Sequence, residues 1–517
     1  MISEEIRRRL AAITPPAAEG DDKFLFNAEI DPLETIPQLT LLGGIPTLTS
    51  REIAASPLGI GFETLDRDTF DPSELYPVLG ASGVKHARCG TGWMKCEKEP
   101  GKFDFAWLDA IADGLIAVGI EPWFSLSYGH PRYTPSPRYE AMIEEAKRTG
   151  KPPAGQPRGW VGESPYLHGP EAMAAWKRYV KAICLHFRGR VRTWEVWNEP
   201  DGPTFWRCRG EKSGKGADGR AADYTEFVRI TAGVIREAIP DAQVVGVVAA
   251  SASAYIRGLG KAGLADVVDL FSFHYYSPVP EHYLRERFDH IRANLRRSDG
   301  RPLRIIQGES GRASGKSAHF AFPSPLGQAR FLARRFLADF LCGAQITSFF
   351  TASDFRNYYA DGSDQYFGVW DGRKKAPKLA FRTLQAMAWL FDGLETAPEY
   401  MALLQPGSHF QVGSWLPFQA VTAAFRRKGV PLFAVWVPEH VELSMPLLSG
   451  RLLCTTEEKT PLPDPVIIDP VRARVWDASR FVTRHADGWY EGIEDFFPFP
   501  VANSPLIVTD AAVFRSE

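Results

Sequence analysis

Short apolar or β-branched runs alternate with helix-length amphipathic stretches over residues 57–394, and this alternation constrains the fold more than any other feature. Such alternation is typical of a parallel α/β architecture. The predicted strands are residues 59–63, 83–88, 121–126, 191–197, 243–249, 267–274, 303–308 and 345–351. The predicted helices are residues 104–118, 171–187, 222–239, 283–297, 325–342 and 376–391.

Eight strands that lead into helices predict a (β/α)8 barrel with enlarged loops. The alternative α/β architecture is a doubly wound open sheet. It has no support here, because no predicted strand is followed by a Gly-x-Gly-x-x-Gly turn. We therefore expect residues 57–394 to form a barrel domain.

The rest of the chain divides into three predicted regions. Residues 1–22 are a polar lead-in, and residues 23–56 contain short apolar runs broken by prolines, which predict strands of an accessory sheet. Residues 395–517 contain strand-like runs separated by turn signals, the pattern of a β-sandwich. These runs are residues 409–415, 420–426, 431–437, 441–445, 471–476 and 504–508. The strands before the barrel are predicted to join this sandwich.

Composition disfavours several classes of function. The formal net charge of −2 on 517 residues gives no electrostatic basis for binding nucleic acid or an anionic membrane. No apolar run approaches the ~20 residues of a membrane span, and the charged N-terminus lacks the apolar segment of a secretory signal. The six cysteines are Cys89, Cys96, Cys184, Cys208, Cys342 and Cys454. Since they form no Cys-x-x-Cys pair, we expect free thiols and a cytoplasmic protein.

The most informative stretch is residues 191–200, Val-Arg-Thr-Trp-Glu-Val-Trp-Asn-Glu-Pro. Its first seven residues suit a buried strand, and Pro200 ends that strand because proline cannot donate to a sheet ladder. Asn198 and Glu199 therefore lie at the C-terminal end of the fourth barrel strand, where barrel enzymes place catalytic groups. A carboxyl group among the neighbouring tryptophans loses water, so its pKa should rise, as a general acid requires. The plainer interpretation is a turn that ends an ordinary strand.

Polar side chains also follow other predicted strands. The seventh strand brings Glu309 to the same rim as Glu199. Two glutamates that face each other across a barrel mouth suit a retaining glycosidase, whose carboxyl groups lie roughly 5–5.5 Å apart. The other rim residues are Arg88 after the second strand, His274 and Tyr276 after the sixth, and Asp354 after the eighth.

Several motifs carry a resemblance to a known family. Trp-Asn-Glu-Pro at 197–200 and Gly-Glu-Ser at 308–310 resemble the strand ends of the clan GH-A glycoside hydrolases. Within that clan the chain is most similar to family 39, the β-xylosidase and α-L-iduronidase group. Further matches are residues 273–276, 351–355, 366–371 and 375–381. The resemblance spans the barrel and implies the same (β/α)8 fold, and a trailing sandwich also suits the family.

The resemblance also implies roles for the paired glutamates. Glu199 is expected to be the acid/base and Glu309 the nucleophile of a double displacement. Asn198 is expected to bind the 2-hydroxyl group of the sugar. These assignments agree with the chemistry that the two carboxyl groups would have to perform.

Three further rim residues are candidate substrate-binding or supporting groups. Arg88 and Tyr276 are candidate donors that keep Glu309 ionised. His274 is expected to bind a substrate hydroxyl group or to orient Glu309. The alternatives are structural: Arg88 could pair with a barrel carboxylate, and His274 could be a hydrogen-bonded core histidine.

Residues 127–169 form a long connection after the third strand, rich in aromatic residues and prolines. Long irregular loops are often functional, so we expect a lid or pocket wall, with Tyr128 and His130 as candidate substrate contacts. The end of the eighth strand lacks the tryptophan that many clan members use as the floor of the sugar site. Trp93 or Trp370 could replace it, although the plainer interpretation of Trp93 is core or loop packing.

The sequence thus predicts a retaining, exo-acting, β-xylosidase-like glycoside hydrolase that cleaves short oligosaccharides or glycosides. It predicts no cofactor and no catalytic metal, since His130 has no second His or Cys at ligand spacing. The expected partner is a carbohydrate, without nucleic acid or membrane, and homo-oligomerisation stays open. The alternatives are an endo-acting hydrolase of a bacterial exopolysaccharide and a catalytically silent carbohydrate-binding protein on the same barrel.

Overall fold

The computed structural model describes thirteen segments of the chain. They are residues 2–15, 32–150, 161–207, 216–249, 253–316, 323–358, 362–406, 420–442, 448–455, 462–480, 482–484, 490–494 and 497–515. The predicted strand at 409–415 and most of that at 441–445 lie outside these segments. Within them, a closed parallel barrel is accompanied by antiparallel sheets, so the predicted fold class is confirmed.

The barrel has eight parallel strands among the described residues, and one strand, β1 (Thr40–Gly44), precedes it. The barrel strands are β2 (Leu58–Gly61), β3 (His86–Gly90), β4 (Glu121–Leu126), β5 (Thr193–Val196), β6 (Gln243–Val248), β7 (Leu270–His274), β8 (Arg304–Ser310) and β9 (Thr347–Phe349). β9 pairs with β2 and closes the barrel. The eight predicted strands are all present, with ends shifted by a few residues. Their apolar, β-branched composition fits strands that are covered on both faces.

The helices lie outside the barrel and before it. They are α1 (Glu4–Ala11), α2 (Tyr76–Gly80), α3 (Trp93–Cys96), α4 (Ala106–Ala117), α5 (Pro137–Thr149), α6 (Pro170–His186), α7 (Ala217–Ala238), α8 (Ser253–Lys261), α9 (Leu284–Asn294), α10 (Pro325–Leu341) and α11 (Leu379–Phe391). The six predicted helices correspond to α4, α6, α7, α9, α10 and α11. No helix in the described part of the chain is both long and apolar enough to cross a membrane.

Five of the described helices were not predicted, namely α1, α2, α3, α5 and α8, and two of these, α5 and α8, were missed for different physical reasons. α5 lies in the long connection after β4, where the surrounding prolines predicted irregular structure; Ser136 caps it by accepting from Tyr139 N. α8 contains Gly258 and Gly260, which weaken a helical pattern. A Cβ atom at Gly258 would meet Ala221 of α7 at 2.8 Å, and one at Gly260 would meet the Asn294 carbonyl of α9 at 2.2 Å. The glycines therefore let α8 pack closely between its neighbours.

The remaining strands form a short hairpin and two antiparallel sheets. They are β10 (Trp370–Asp371), β11 (Ala376–Pro377), β12 (Leu394–Thr396), β13 (Met401–Pro406), β14 (Val421–Arg427), β15 (Val430–Trp436), β16 (Leu448–Thr455), β17 (Pro465–Asp469), β18 (Arg474–Asp477), β19 (Val482–Arg484), β20 (Tyr490–Glu494), β21 (Phe497–Val501) and β22 (Leu506–Asp510). The sheet orders are β1-β18-β17-β22-β15-β14-β12 and β13-β16-β21-β20-β19. Apolar side chains from both sheets share one buried cluster, as in a sandwich.

The seven-stranded sheet also packs against the barrel helices. Phe340 of α10 contacts Phe425 of β14, with ring centroids 6.2 Å apart. Trp389 of α11 stacks on Phe514, with centroids 5.0 Å apart. Five cysteines of the described residues are buried and free: Cys89, Cys96, Cys184, Cys342 and Cys454. The sandwich therefore packs against one side of the barrel.

Candidate active site

Arg88, in β3, is the centre of a buried polar cluster at the C-terminal ends of the barrel strands. Its Nη1 donates to Glu309 Oε2 at 2.8 Å and to Glu63 Oε1 at 2.9 Å. Its Nε donates to Glu195 Oε1 at 3.0 Å, and its Nη2 donates to Asn198 Oδ1 at 2.8 Å. One guanidinium group thus contacts three carboxyl groups in a place that water hardly reaches, and its charge compensates only part of theirs.

Glu309 lies near the end of β8 with 16% of its side chain exposed. Arg88 donates to one carboxyl oxygen, and the Tyr276 hydroxyl group donates to the other at 2.7 Å. Burial, followed by the charge of Glu309, raises the pKa of Tyr276 well above its usual range, so the phenol keeps its proton and stays a donor. Both predicted supporting residues therefore donate a hydrogen bond to Glu309.

Glu199 follows the sharp end of β5. Trp197 and Glu199 have φ values of 72° and 40°, a left-handed conformation that is strained for bulky residues and is often found at functional sites. Burial raises the pKa of Glu199 to about 7, and the positive charge of Arg88 offsets this only in part. A large share of Glu199 therefore carries a proton at neutral pH, as the enclosed strand end predicted.

His274 lies between the two glutamates. Its Nδ1 is 2.8 Å from Glu199 Oε1 and 3.6 Å from Glu309 Oε2. Burial lowers its pKa to about 4, so the ring is neutral near pH 7. A neutral imidazole can donate to an ionised Glu199 or accept from a protonated one, depending on its tautomer.

One ligand-type atom from each of Glu199, His274 and Glu309 lies within 4.8 Å of the others. This spacing would allow the three side chains to hold a metal ion. However, Arg88 already places a positive charge 2.8 Å from Glu309 Oε2, where it would repel a second cation. The absence of a catalytic metal stays a prediction.

A cavity of about 290 Å³ opens beside this cluster. Its lining residues are Glu63, Thr64, Arg67, Arg88, Tyr128, Val161, Asn198, Thr204, Phe205, Arg207, Glu309, Phe350 and Tyr358. The ring of Tyr128, a predicted contact, stacks on Phe205 with centroids 5.9 Å apart. Aromatic faces next to charged and amide groups are the combination that a sugar site needs.

Three predicted substrate contacts have other partners. Trp93 is fully buried, and its indole N–H donates to Glu97 Oε2, so it has no face for a sugar ring. The ring nitrogens of His130 bond to the Glu97 carbonyl and to a backbone amide. Asp354 accepts from Lys378 Nζ at 2.6 Å and is 4% exposed. These internal hydrogen bonds count against all three as substrate contacts.

Glu63 and Glu195 were missed in the sequence analysis. Glu195 is a charged residue within the apolar strand β5, a signal that its side chain points to a partner inside the barrel. Glu63 ends the predicted first strand, which would place it at the rim. Both signals were visible in the sequence, but their common partner, Arg88, becomes apparent only when β2, β3 and β5 close into one barrel.

Comparison with known sequences gives a limited match. No protein-family model matches the chain. A beta-xylosidase from Geobacillus stearothermophilus is 25% identical over 151 residues, which are 28% of this chain and 24% of that protein. The chain therefore matches about a quarter of the length of this curated relative.

Solved structures match over most of the chain. A family 39 glycoside hydrolase from Bacteroides cellulosilyticus WH2 has a TM-score of 0.59 at 16% identity, covering 90% of this chain and 83% of that one. The GH39 enzyme from Xanthomonas axonopodis pv. citri has a TM-score of 0.51 at 16% identity, covering 90% and 95%. At such identities the likeness concerns the fold. The predicted resemblance to family 39 glycoside hydrolases is therefore confirmed at that level.

Proposed function

We propose that this protein is a retaining glycoside hydrolase, with Glu199 as acid/base and Glu309 as nucleophile. The observation that carries the proposal is that two glutamates at one barrel rim have opposite surroundings. Desolvation raises the pKa of Glu199 to about 7, and its neighbour at 2.8 Å is a neutral imidazole, whereas Glu309 accepts hydrogen bonds from a guanidinium group and a phenol. Retaining hydrolysis requires one protonated carboxyl group as the acid and one ionised carboxylate as the nucleophile, and different surroundings allow the two glutamates to take these two roles.

In the first step the Glu309 carboxylate attacks the anomeric carbon of the sugar. A bond forms between that carbon and a Glu309 oxygen, while the bond to the leaving oxygen breaks and Glu199 transfers its proton to that oxygen. Arg88 and Tyr276 hold Glu309 in place for the attack. The products of this step are a free leaving group and a glycosyl ester on Glu309.

In the second step water replaces Glu309. Glu199, now ionised, removes a proton from the water molecule as its oxygen bonds to the anomeric carbon, and the ester bond to Glu309 breaks. His274 Nδ1 lies 2.8 Å from Glu199 and can hydrogen bond to it in both protonation states. The two inversions leave the sugar with its original configuration.

The spacing of the carboxyl groups supports retention over inversion. Oxygens of Glu199 and Glu309 lie within 4.8 Å of each other. A retaining pair is roughly 5–5.5 Å apart, whereas an inverting pair needs roughly 6.5–9.5 Å to admit a water molecule between carboxylate and sugar. The approach of one oxygen from each carboxyl group to within 4.8 Å is closer to the retaining range than to the inverting range, which supports retention.

The cavity supports a short substrate. Its volume of about 290 Å³ lies at the lower end of the usual size range of small-molecule sites, roughly 300–1,000 Å³, which favours a terminal sugar over a long polymer. Asn198 lines the cavity and is proposed to bind the 2-hydroxyl group. Because the matched Geobacillus protein is named a beta-xylosidase, xylosides are the first substrates to try. The buried free cysteines support our prediction of a cytoplasmic enzyme acting on imported glycosides.

The test is hydrolysis of a panel of nitrophenyl glycosides by wild type, Glu199→Ala and Glu309→Ala, with and without azide. Both variants should lose activity, and azide should restore turnover in each. The azide product of Glu199→Ala should retain the anomeric configuration, because azide then attacks the glycosyl ester. The product of Glu309→Ala should be inverted, because azide attacks the substrate directly.

Glu237→Ala on α7, which removes an exposed residue that pairs with Lys181, serves as a control and should keep wild-type rates. The proposal fails if wild type hydrolyses none of the glycosides while still binding sugars, which would favour a silent binding protein. Release of the inverted sugar by wild type would overturn the retaining mechanism alone.

A further inference from the structure

We propose that Glu63 is a sugar-binding residue of this cavity and that its carboxyl group hydrogen bonds to a ring hydroxyl group of the sugar that Glu309 attacks. The inference rests on the proposed function and deepens it by adding a specificity residue to the site. Glu63 follows β2, the first barrel strand, and lies at the rim from which barrel enzymes draw their functional groups.

The position of Glu63 supports direct contact with a ligand. Its side chain lines the same cavity as Asn198 and Glu309 and is 10% exposed. Arg88 Nη1 joins it to the proposed nucleophile, since this nitrogen donates to Glu63 Oε1 at 2.9 Å and to Glu309 Oε2 at 2.8 Å. A sugar placed for attack by Glu309 therefore has Glu63 as a neighbour.

The hydrogen bonding of Glu63 is incomplete within the described part of the protein. Its Oε2 is buried and has no hydrogen-bond partner among the described residues. A buried carboxyl oxygen without a partner costs free energy, and a bound hydroxyl group near the carboxyl would reduce that cost. Burial, together with the charge of Glu309, raises the pKa of Glu63 to about 8 despite the opposing charge of Arg88. A protonated carboxyl group can both donate to and accept from a hydroxyl group.

The backbone around Glu63 is adapted to hold its carboxyl group at the barrel mouth. Gly61 lies opposite Arg88 in the pairing of β2 with β3, and a Cβ atom at Gly61 would come within 2.4 Å of Glu63 Oε2. Because Gly61 has no side chain, the Glu63 carboxyl group can occupy that space. Thr64, the next residue, has a φ of 69°, a strained conformation that directs the chain away directly after Glu63.

Glu195 offers a matched control for this proposal. Like Glu63 it accepts a hydrogen bond from Arg88, at 3.0 Å, but its side chain is fully buried. A residue that only braces Arg88 should slow the hydrolysis of every substrate by the same factor. If a residue contacts one hydroxyl group, its substitution should no longer reduce kcat/KM on the substrate that lacks that hydroxyl group.

The experiment measures kcat/KM of wild type, Glu63→Ala, Glu63→Gln and Glu195→Gln on the best nitrophenyl glycoside and on its 2-, 3- and 4-deoxy analogues. Glu63→Ala is expected to reduce kcat/KM on the parent glycoside roughly tenfold to a hundredfold, the effect of one hydrogen bond to a strongly polar group. On one deoxy analogue, Glu63→Ala and wild type should agree within about twofold. Glu63→Gln, which can still donate and accept, should recover part of the loss.

Glu195→Gln should show the same ratio to wild type on all four substrates. The proposal is overturned if Glu63→Ala behaves in that way too, because its role would then be limited to bracing Arg88. Thermal melting of each variant checks that it is folded.

Failure of the proposed function can be told apart from failure of this inference. If wild type hydrolyses no glycoside, the same comparison is made by calorimetry with the free sugar and its deoxy forms. A loss of affinity in Glu63→Ala that disappears for one deoxy sugar would support the sugar contact even in a silent protein. Equal losses for all sugars would overturn it.

Discussion

Two buried arginines in this protein have contrasting surroundings. At the barrel mouth, Arg88 contacts the carboxyl groups of Glu63, Glu195 and Glu309. On the side that faces the sandwich, Arg334 of α10 is fully buried and donates through Nε and Nη2 to both oxygens of Glu281. Arg88 has three carboxyl groups around its single positive charge, whereas Arg334 has one carboxyl group for its single charge.

The difference separates a functional cluster from a structural one. Where charges balance, a buried pair can stay ionised and connect two elements, and Arg334 also donates to the Glu439 carbonyl group in the segment after β15. Where carboxyl groups are in excess, some must hold protons, and burial raises the pKa values of Glu63 and Glu199 to about 8 and about 7. Uncompensated charge is unfavourable for folding but gives an enzyme groups that can release and accept protons.

The comparison is tested most strongly by removing Arg88. In Arg88→Ala, three carboxyl groups lose their cation and Glu309 loses one of the two hydrogen bonds that hold it for attack, so it should be a weaker nucleophile. We expect kcat/KM to fall roughly 10²–10³-fold and the free energy of unfolding to fall by about 3–5 kcal/mol. Arg88→Lys, which keeps the charge but not the geometry of the fork, should lose less of both. An Arg88→Ala variant with wild-type kcat/KM would show that the cluster has no functional role.

Removing Arg334 should affect stability alone. Arg334→Ala leaves Glu281 without its charged partner, so the free energy of unfolding should fall by about 3–5 kcal/mol. Since the cluster at the barrel mouth is untouched, kcat/KM of the folded variant should stay within about twofold of wild type. Lys181→Ala removes the exposed pair with Glu237 and serves as a control, with an expected loss below about 1 kcal/mol. Urea unfolding and initial rates measure both quantities.

How well the sequence predicted the fold differs between the barrel and its surroundings. The eight barrel strands were predictable because strands buried on both faces are nearly continuous apolar runs. Helix α8 was missed because Gly258 and Gly260, which weaken a helical pattern, are there for close packing against residues distant in sequence. Helix α5 was missed because the prolines around it indicate irregular structure. Neither the close packing of α8 nor the Ser136 cap of α5 produces a periodic pattern of apolar residues in the sequence.

The candidate site shows the same limit. Glu199 and Glu309 were predictable, since each follows an apolar strand whose end is well marked. Position at the rim did not decide where a side chain points, so Asp354 was expected to face the sugar but pairs with Lys378. Glu63 was missed because its significance depends on Arg88, which reaches it only across the closed barrel. A rim position can thus be predicted from sequence, whereas the partner of a polar side chain requires the structure.

The excess of carboxyl groups also predicts how the rate depends on pH. Glu199 must be protonated to assist the leaving group, and its pKa is about 7. With substrates whose leaving groups need a proton, kcat/KM should therefore fall about tenfold per pH unit above pH 7. Dinitrophenyl glycosides, whose leaving group departs unaided, should show no such fall between pH 7 and 8. An alkaline decline that is the same for both substrates would contradict the role of Glu199 as the acid.

The smallest effect concerns the stability of Glu63→Gln as a function of pH. The pKa of Glu63 is raised from 4.5 to about 8 in the folded protein, so the folded state holds a proton that the unfolded chain releases. Its contribution to stability is present below about pH 4.5 and is lost as the pH rises towards 8. Glutamine cannot ionise, so the variant should gain stability relative to wild type between pH 5 and pH 8, by at least about 1.4 kcal/mol, the equivalent of one pKa unit. Urea unfolding at both pH values measures this difference. Glu281→Gln, which breaks the balanced pair with Arg334, should instead be less stable than wild type at both pH values. If this variant also gained stability relative to wild type as the pH rises, the two arginines would not differ in the way proposed.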